Sequence, residues 1–96
     1  MIEGNLSHVE RAGGGAFLLT RDGRQAGEMT YQRLSAKRIL IDHTEVDPQL
    51  RGKGVARQLL DAAVAWAREN GIKVNATCSY VIVQFSRDRS LADVQD

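Results

Sequence analysis

A chain of 96 residues with 13 basic and 12 acidic side chains carries a formal net charge of +1. That near balance gives no reason to expect nucleic acid or an anionic membrane as the main partner. One cysteine, Cys78, excludes an intramolecular disulfide and leaves any metal site to other ligands, so none is expected; a lone thiol fits a reducing compartment, and a cytoplasmic location is expected. The N-terminal stretch MIEGNLSHVERAGG has neither a signal-peptide core nor a transmembrane-length run. Length and composition point to a single domain, 1–96, and no internal repeat is visible.

The first half reads as antiparallel β structure. His8 to Arg11 is a short strand, Gly13-Gly14-Gly15 punctuates it, and Ala16 to Thr20 is the next. Asp22-Gly23 stands where a tight hairpin turn wants positive φ. Gln25 to Arg33 alternates loosely, and Leu34 to Lys37 is a second turn. Arg38 to Val46 (RILIDHTEV) is the strongest strand pattern in the chain. On strict alternation His43 and Glu45 share a face with Ile39 and Ile41, while Asp42, Thr44 and Val46 take the other; a bulge would shift this phase. Asp47-Pro48 ends the strand, because proline has no N–H for a ladder.

Val55 to Asn70 reads as an amphipathic helix, with Val55, Leu59, Ala62, Ala63 and Trp66 on the apolar stripe and Gly71 at its C-terminal stop. Ile72 to Thr77 then alternates as a short strand. Strand, sharp turn, helix and strand make a βαβ unit, so the two strands run parallel. Tyr80 to Ser86 fits a strand or a short final helix, with helix preferred, and the tail from Asp88 is read as frayed. The sequence names no partner for His8.

Chemistry concentrates in Gln49 to Ala56, QLRGKGVA. A helix start has unpaired N–H groups and a partial positive charge, and ordinarily attracts Asp or Glu. Here Arg51, Lys53 and Arg57 crowd it, and no acid appears before Asp61. The arrangement makes sense if an external anion docks there, with Gly52 and Gly54 letting it approach the backbone. A P-loop would need Ser or Thr where Gly54 follows Lys53, and a dinucleotide fingerprint a small residue where Arg57 stands. A glycine-containing turn with a solvated basic face is the alternative.

Gln49-Leu50-Arg51-Gly52-Lys53-Gly54-Val55-Ala56 resembles the Gln/Arg-x-x-Gly-x-Gly/Ala signature of the GNAT superfamily of acyl-CoA N-acyltransferases. With His43-Thr44-Glu45-Val46 and Cys78-Ser79-Tyr80, the chain is similar to a compact subgroup of it, over Ile41 to Tyr80 above all. The resemblance implies an α/β (α+β) GNAT-like fold: antiparallel N-terminal strands, one βαβ unit with splayed parallel strands, and a short C-terminal helix. It implies acetyl-CoA (coenzyme A) as co-substrate. Its pyrophosphate would lie on the backbone of Arg51, Gly52, Lys53, Gly54, Val55 and Ala56, and its pantetheine arm near Glu45 and Val46. The activity implied is acetyl transfer to an amine of unknown identity.

Candidate chemistry follows. His43 or Glu45 would act as base and Tyr80 as acid for the departing thiolate. Cys78 would take the acyl group first in a covalent variant. Each also has a plain reading: a small buried thiol, a strand histidine, a solvated carboxylate, a packed ring. A CoA-binding module with little transferase activity, or acyl capture on Cys78, are the competing functions. Oligomeric state is not legible.

Overall fold

The computed structural model describes Met1–Asp96. Five strands form one sheet in chain order: β1 (Asn5–Arg11), β2 (Gly14–Arg21), β3 (Arg24–Ser35), β4 (Arg38–Val46) and β5 (Lys73–Ala76). The first four pair antiparallel, and β5 runs parallel to β4. Helix α1 (Val55–Asn70) crosses between β4 and β5, and α2 (Ser79–Arg87) follows β5. This is the expected mixed α/β fold.

Local chemistry explains most boundaries. Asp22 (φ 52°) and Gly23 (φ 74°) form the β2–β3 turn, as two-residue hairpins require. Gly71 closes α1 in the left-handed conformation, its N–H reaching the Ala67 carbonyl.

Strand β1 begins at Asn5, earlier than the alternation indicated, and β2 includes Gly14 and Gly15 rather than being interrupted there. The reason is a close approach: a Cβ on Gly15 would lie 2.7 Å from Tyr31 Oη, so a bare backbone is needed beneath that ring. Strand β3 runs on to Ser35, which shortens the following turn to Ala36 and Lys37.

The core is one cluster between the sheet and α1, with Phe17, Leu19, Met29, Tyr31, Ile39 and Ile41 from the sheet facing Val55, Leu59, Leu60, Ala63, Val64 and Ala67. The buried stripe of α1 therefore turns further toward Leu60 and Val64 than expected. Ala62 and Trp66 flank it, half-buried. Trp66 belongs instead to an aromatic group with Phe17, Tyr31 and His8, whose imidazole stacks on Phe17 at 4.1 Å and meets Tyr31 Oη at 2.6 Å.

The segment after α2 is packed, not frayed. Leu91 and Val94 are buried, the Val94 carbonyl accepts from Val74 N–H at 2.7 Å, and Arg68 grips Asp93 through two N–H donors at 2.8 Å. Asp88 stabilises the intervening 3₁₀ turn, Arg89–Leu91, by accepting from Ser90 N–H. Two apolar side chains three residues apart, with an acidic cap between the helix and the turn, are enough to fold the tail back along β5.

Candidate functional site

Strands β4 and β5 pair only from Arg38/Lys73 to Ile41/Ala76. Beyond that the Ile41 carbonyl accepts from both Thr77 and Cys78 N–H, at 3.0 and 3.3 Å, and the strands separate. Strand β4 continues to Val46 against β3 alone. Its other edge, over Asp42 to Val46, borders a cleft.

That cleft has a volume of about 750 Å³. It is lined by His43, Thr44, Glu45 and Val46 of β4, by the loop and first turn of α1 from Leu50 to Arg57 except Lys53, and by Tyr80 of α2.

The register of β4 slips at this point: His43 pairs with Thr30 and Ile41 with Tyr31, leaving Asp42 as an extra residue. The bulge reverses the alternation. His43 and Glu45 therefore do not share the core face with Ile39 and Ile41; they stand on the other face, 61% and 74% exposed, with His43 Nε2 3.6 Å from Glu45 Oε2. Asp42 holds the bulge in place. Its carboxylate accepts from Thr30 Oγ1 at 2.6 Å and Gln32 Nε2 at 3.0 Å, which keeps its pKa below the usual carboxylate range. Thr44, shifted inward, meets Cys78 Sγ at 3.3 Å.

The loop has the geometry of an anion cradle. Gly52 (φ 80°) and Gly54 (φ 82°) both sit in the left-handed region, where a side chain is strained. Gly54 is the N-cap of α1 with no side chain to cap it, and no acid stands in the first turn. The N–H groups of Val55, Ala56 and Arg57 find no acceptor in the chain. A Cβ at Gly52 would point into open space. Lys53 is set apart: its N–H is bonded to the Leu50 carbonyl at 3.2 Å, and its side chain lines a separate hollow with Met1, Ile2, Glu3 and Arg21.

Arg57 differs from its expected role as a third free cation. Its Nε meets Asp61 Oδ1 at 2.8 Å, Nη1 meets Gln84 Oε1 at 2.9 Å and Nη2 meets Asp88 Oδ2 at 2.5 Å. The bonds to Asp88 and Asp61 raise the guanidinium pKa further, while the Ser90 hydroxyl first and Arg57 second lower Asp88 to about 2. Tyr80 is half-buried, and burial pushes its phenol pKa up despite the nearby Arg57 charge. Cys78 lies at the start of α2, half-buried behind Thr44 and not on the cleft wall.

The structure thus brings His43, Glu45, Val46, Arg51, Gly52, Gly54, Val55, Ala56 and Tyr80 onto one cleft, with Cys78 adjoining it. Sequence reasoning missed Thr44 and the α1–α2 clamp through Arg57. Residue type gave no signal for either. It also missed Gln58, the one buried polar side chain, whose amide binds the Ile2 backbone in both directions at 2.9 Å.

A sheet whose parallel strands part over an uncapped, glycine-bearing helix start is the arrangement that the resemblance to acyl-CoA N-acyltransferases implies. The profile of the GCN5-related N-acetyltransferase family matches residues 16–94. The chain belongs to that family, whose members use acetyl-CoA as co-substrate.

A GCN5-like protein from Staphylococcus aureus superposes with a TM-score of 0.73 at 33% identity, covering 96% of this chain and 89% of that one. A ribosomal-protein-alanine N-acetyltransferase from Brucella melitensis superposes with a TM-score of 0.64 at 25% identity, over 73% of this chain and 53% of its own. Among curated proteins, Protein NATD1 of Xenopus tropicalis is 34% identical over 53 residues, which is 55% of this chain and 49% of that protein. The human Protein NATD1 is 32% identical over the same length. The chain spans about half the length of the curated relatives it matches.

Proposed function

We propose that the protein transfers an acetyl group from acetyl-CoA to an amine. The observation that carries this is the pair of left-handed glycines, Gly52 and Gly54, beneath the unpaired N–H groups of α1, opening on the gap between β4 and β5.

Backbone N–H groups around Gly52, Gly54, Val55 and Ala56 suit a pyrophosphate, and the Arg51 side chain adds positive charge at the same wall. The free edge of β4 near Glu45 and Val46 suits the amide-bearing arm, as an added strand would. Coenzyme A supplies the activated thioester. The chain's own residues handle protons: the His43–Glu45 pair accepts one from the attacking ammonium, and the Tyr80 hydroxyl donates one to the departing sulfur. A phenol whose pKa is raised by burial is protonated at neutral pH, as an acid must be.

The test is calorimetric and kinetic. CoA should raise the melting temperature, and acetyl-CoA should acetylate at least one member of a panel of small amines and lysine peptides, with mass spectrometry locating the acetyl group. No thermal shift at millimolar CoA would sink the reading; a shift with transfer to no amine would leave a CoA-binding module.

A further inference from the structure

Arg57 occupies a position that electrostatics disfavours. It is a cation in the first turn of α1, at the positive end of the helix dipole. Its three nitrogens are each spent on a different residue. Nε bonds Asp61 on its own helix, Nη1 bonds Gln84 on α2, and Nη2 bonds Asp88, the residue that closes α2 and starts the next turn. The planar fork therefore bolts α2 to α1, and Arg57 itself lines the cleft together with Tyr80. Tyr80 is one turn before Gln84 on α2, so the Gln84 bond acts on the face that carries Tyr80. The charged and titratable groups acting on Tyr80 are Arg57, Asp61 and Cys78.

We propose that Arg57 is a positioning residue for Tyr80: it locks α2 so that the phenol faces the cleft and keeps a fixed positive charge beside it. This rests on the acyl-transfer reading above. When the C–S bond breaks, its electron pair goes to sulfur, sulfur takes the Tyr80 proton, and Tyr80 remains as phenolate until solvent reprotonates it. A permanent guanidinium nearby lowers the cost of that phenolate, while burial keeps the phenol protonated beforehand.

The test combines tyrosine titration with kinetics. Ultraviolet difference titration follows tyrosinate formation in the wild type, and Tyr80→Phe identifies which of the two tyrosine transitions is Tyr80. Arg57→Gln should move that transition up by about one pH unit, and Arg57→Lys should return it toward the wild type. In turnover, Arg57→Gln should lower kcat about tenfold and leave the KM for acetyl-CoA within about twofold. Asp88→Asn leaves the Arg57 guanidinium in place but removes one anchor of the clamp, so it should lower kcat without the upward titration shift. If Arg57→Gln proves unfolded, Arg57→Lys and Asp88→Asn carry the test. An unmoved Tyr80 transition in Arg57→Gln overturns the proposal whatever the turnover. So does a loss confined to a raised KM with kcat unchanged, which would make Arg57 a ligand for the co-substrate. A wild type that binds CoA but acetylates no amine, with the titration shift intact, overturns the acyl-transfer reading and the catalytic role with it.

Discussion

Thr44 Oγ1 lies 3.3 Å from Cys78 Sγ, across the gap where β4 and β5 have ceased to pair. Only the bulge at Asp42 brings the two together, because it turns Thr44 inward and His43 and Glu45 outward. Cys78 is consequently held behind the cleft wall by a hydrogen bond.

That position favours direct transfer over a cysteine relay. Cys78→Ala should retain turnover within about threefold, a loss of packing rather than of a nucleophile. Intact-mass measurement after incubation with acetyl-CoA should show no acetyl group on Cys78. A stable adduct at Cys78, or a loss of turnover beyond about a hundredfold, would establish the relay instead.

The two left-handed glycines give a separate expectation. Gly54→Val forces a branched side chain to φ 82° and should cost on the order of 1–3 kcal/mol of stability. CoA at a hundred times its dissociation constant stabilises a folded domain by about 2.7 kcal/mol, on the order of 10 °C for a chain of this size. Differential scanning calorimetry should show that shift in the wild type and not in Gly54→Val or Gly52→Val, with circular dichroism confirming that both variants are folded.

His8 should make stability depend on pH. Burial against Phe17, Trp66 and Tyr31 lowers its pKa from 6.5, outweighing Glu10, which favours the cation. A base whose folded pKa is depressed binds fewer protons when folded, so its contribution is present above pH 6.5 and declines as pH falls below it. The melting temperature should drop as the pH falls below 6.5 in the wild type. His8→Phe should flatten that part of the profile; an unchanged slope would assign the drop to other groups.

Asp88 acts lower on the scale. Its carboxyl falls from 3.8 to about 2, with the Ser90 hydroxyl as the first cause and Arg57 as the second. An acid with a depressed folded pKa stabilises above its unfolded value and loses that contribution as pH falls from 3.8 toward 2. Acid unfolding followed by circular dichroism should begin at higher pH and proceed less steeply in Asp88→Asn.

The packed tail offers a stability test away from the cleft. Leu91 is 3% exposed and inside the core cluster, so Leu91→Ala should cost roughly 2–5 kcal/mol. Chemical denaturation would show a loss near zero if the tail contributed nothing.

What the sequence determined by itself were the local relations. The α1 boundaries at Val55 and Asn70, the Asp22-Gly23 turn and the loop over Gly52 and Gly54 were all readable, because helix period, turn residues and glycine placement act within a few residues. Family resemblance in that loop was legible for the same reason.

Tertiary structure alone decided which way His43, Thr44 and Glu45 point, since a bulge depends on the register of β3 and leaves no mark of its own in β4. It also decided the partners of Arg57, 27 and 31 positions away on α2 and just after it, and the docking of Leu91 and Val94 along β5 and the core. An arginine at a helix start reads as a free cation until the folded chain brings Gln84 and Asp88 to it. Charge along a sequence shows where ions gather, and only packing shows which of them are already matched.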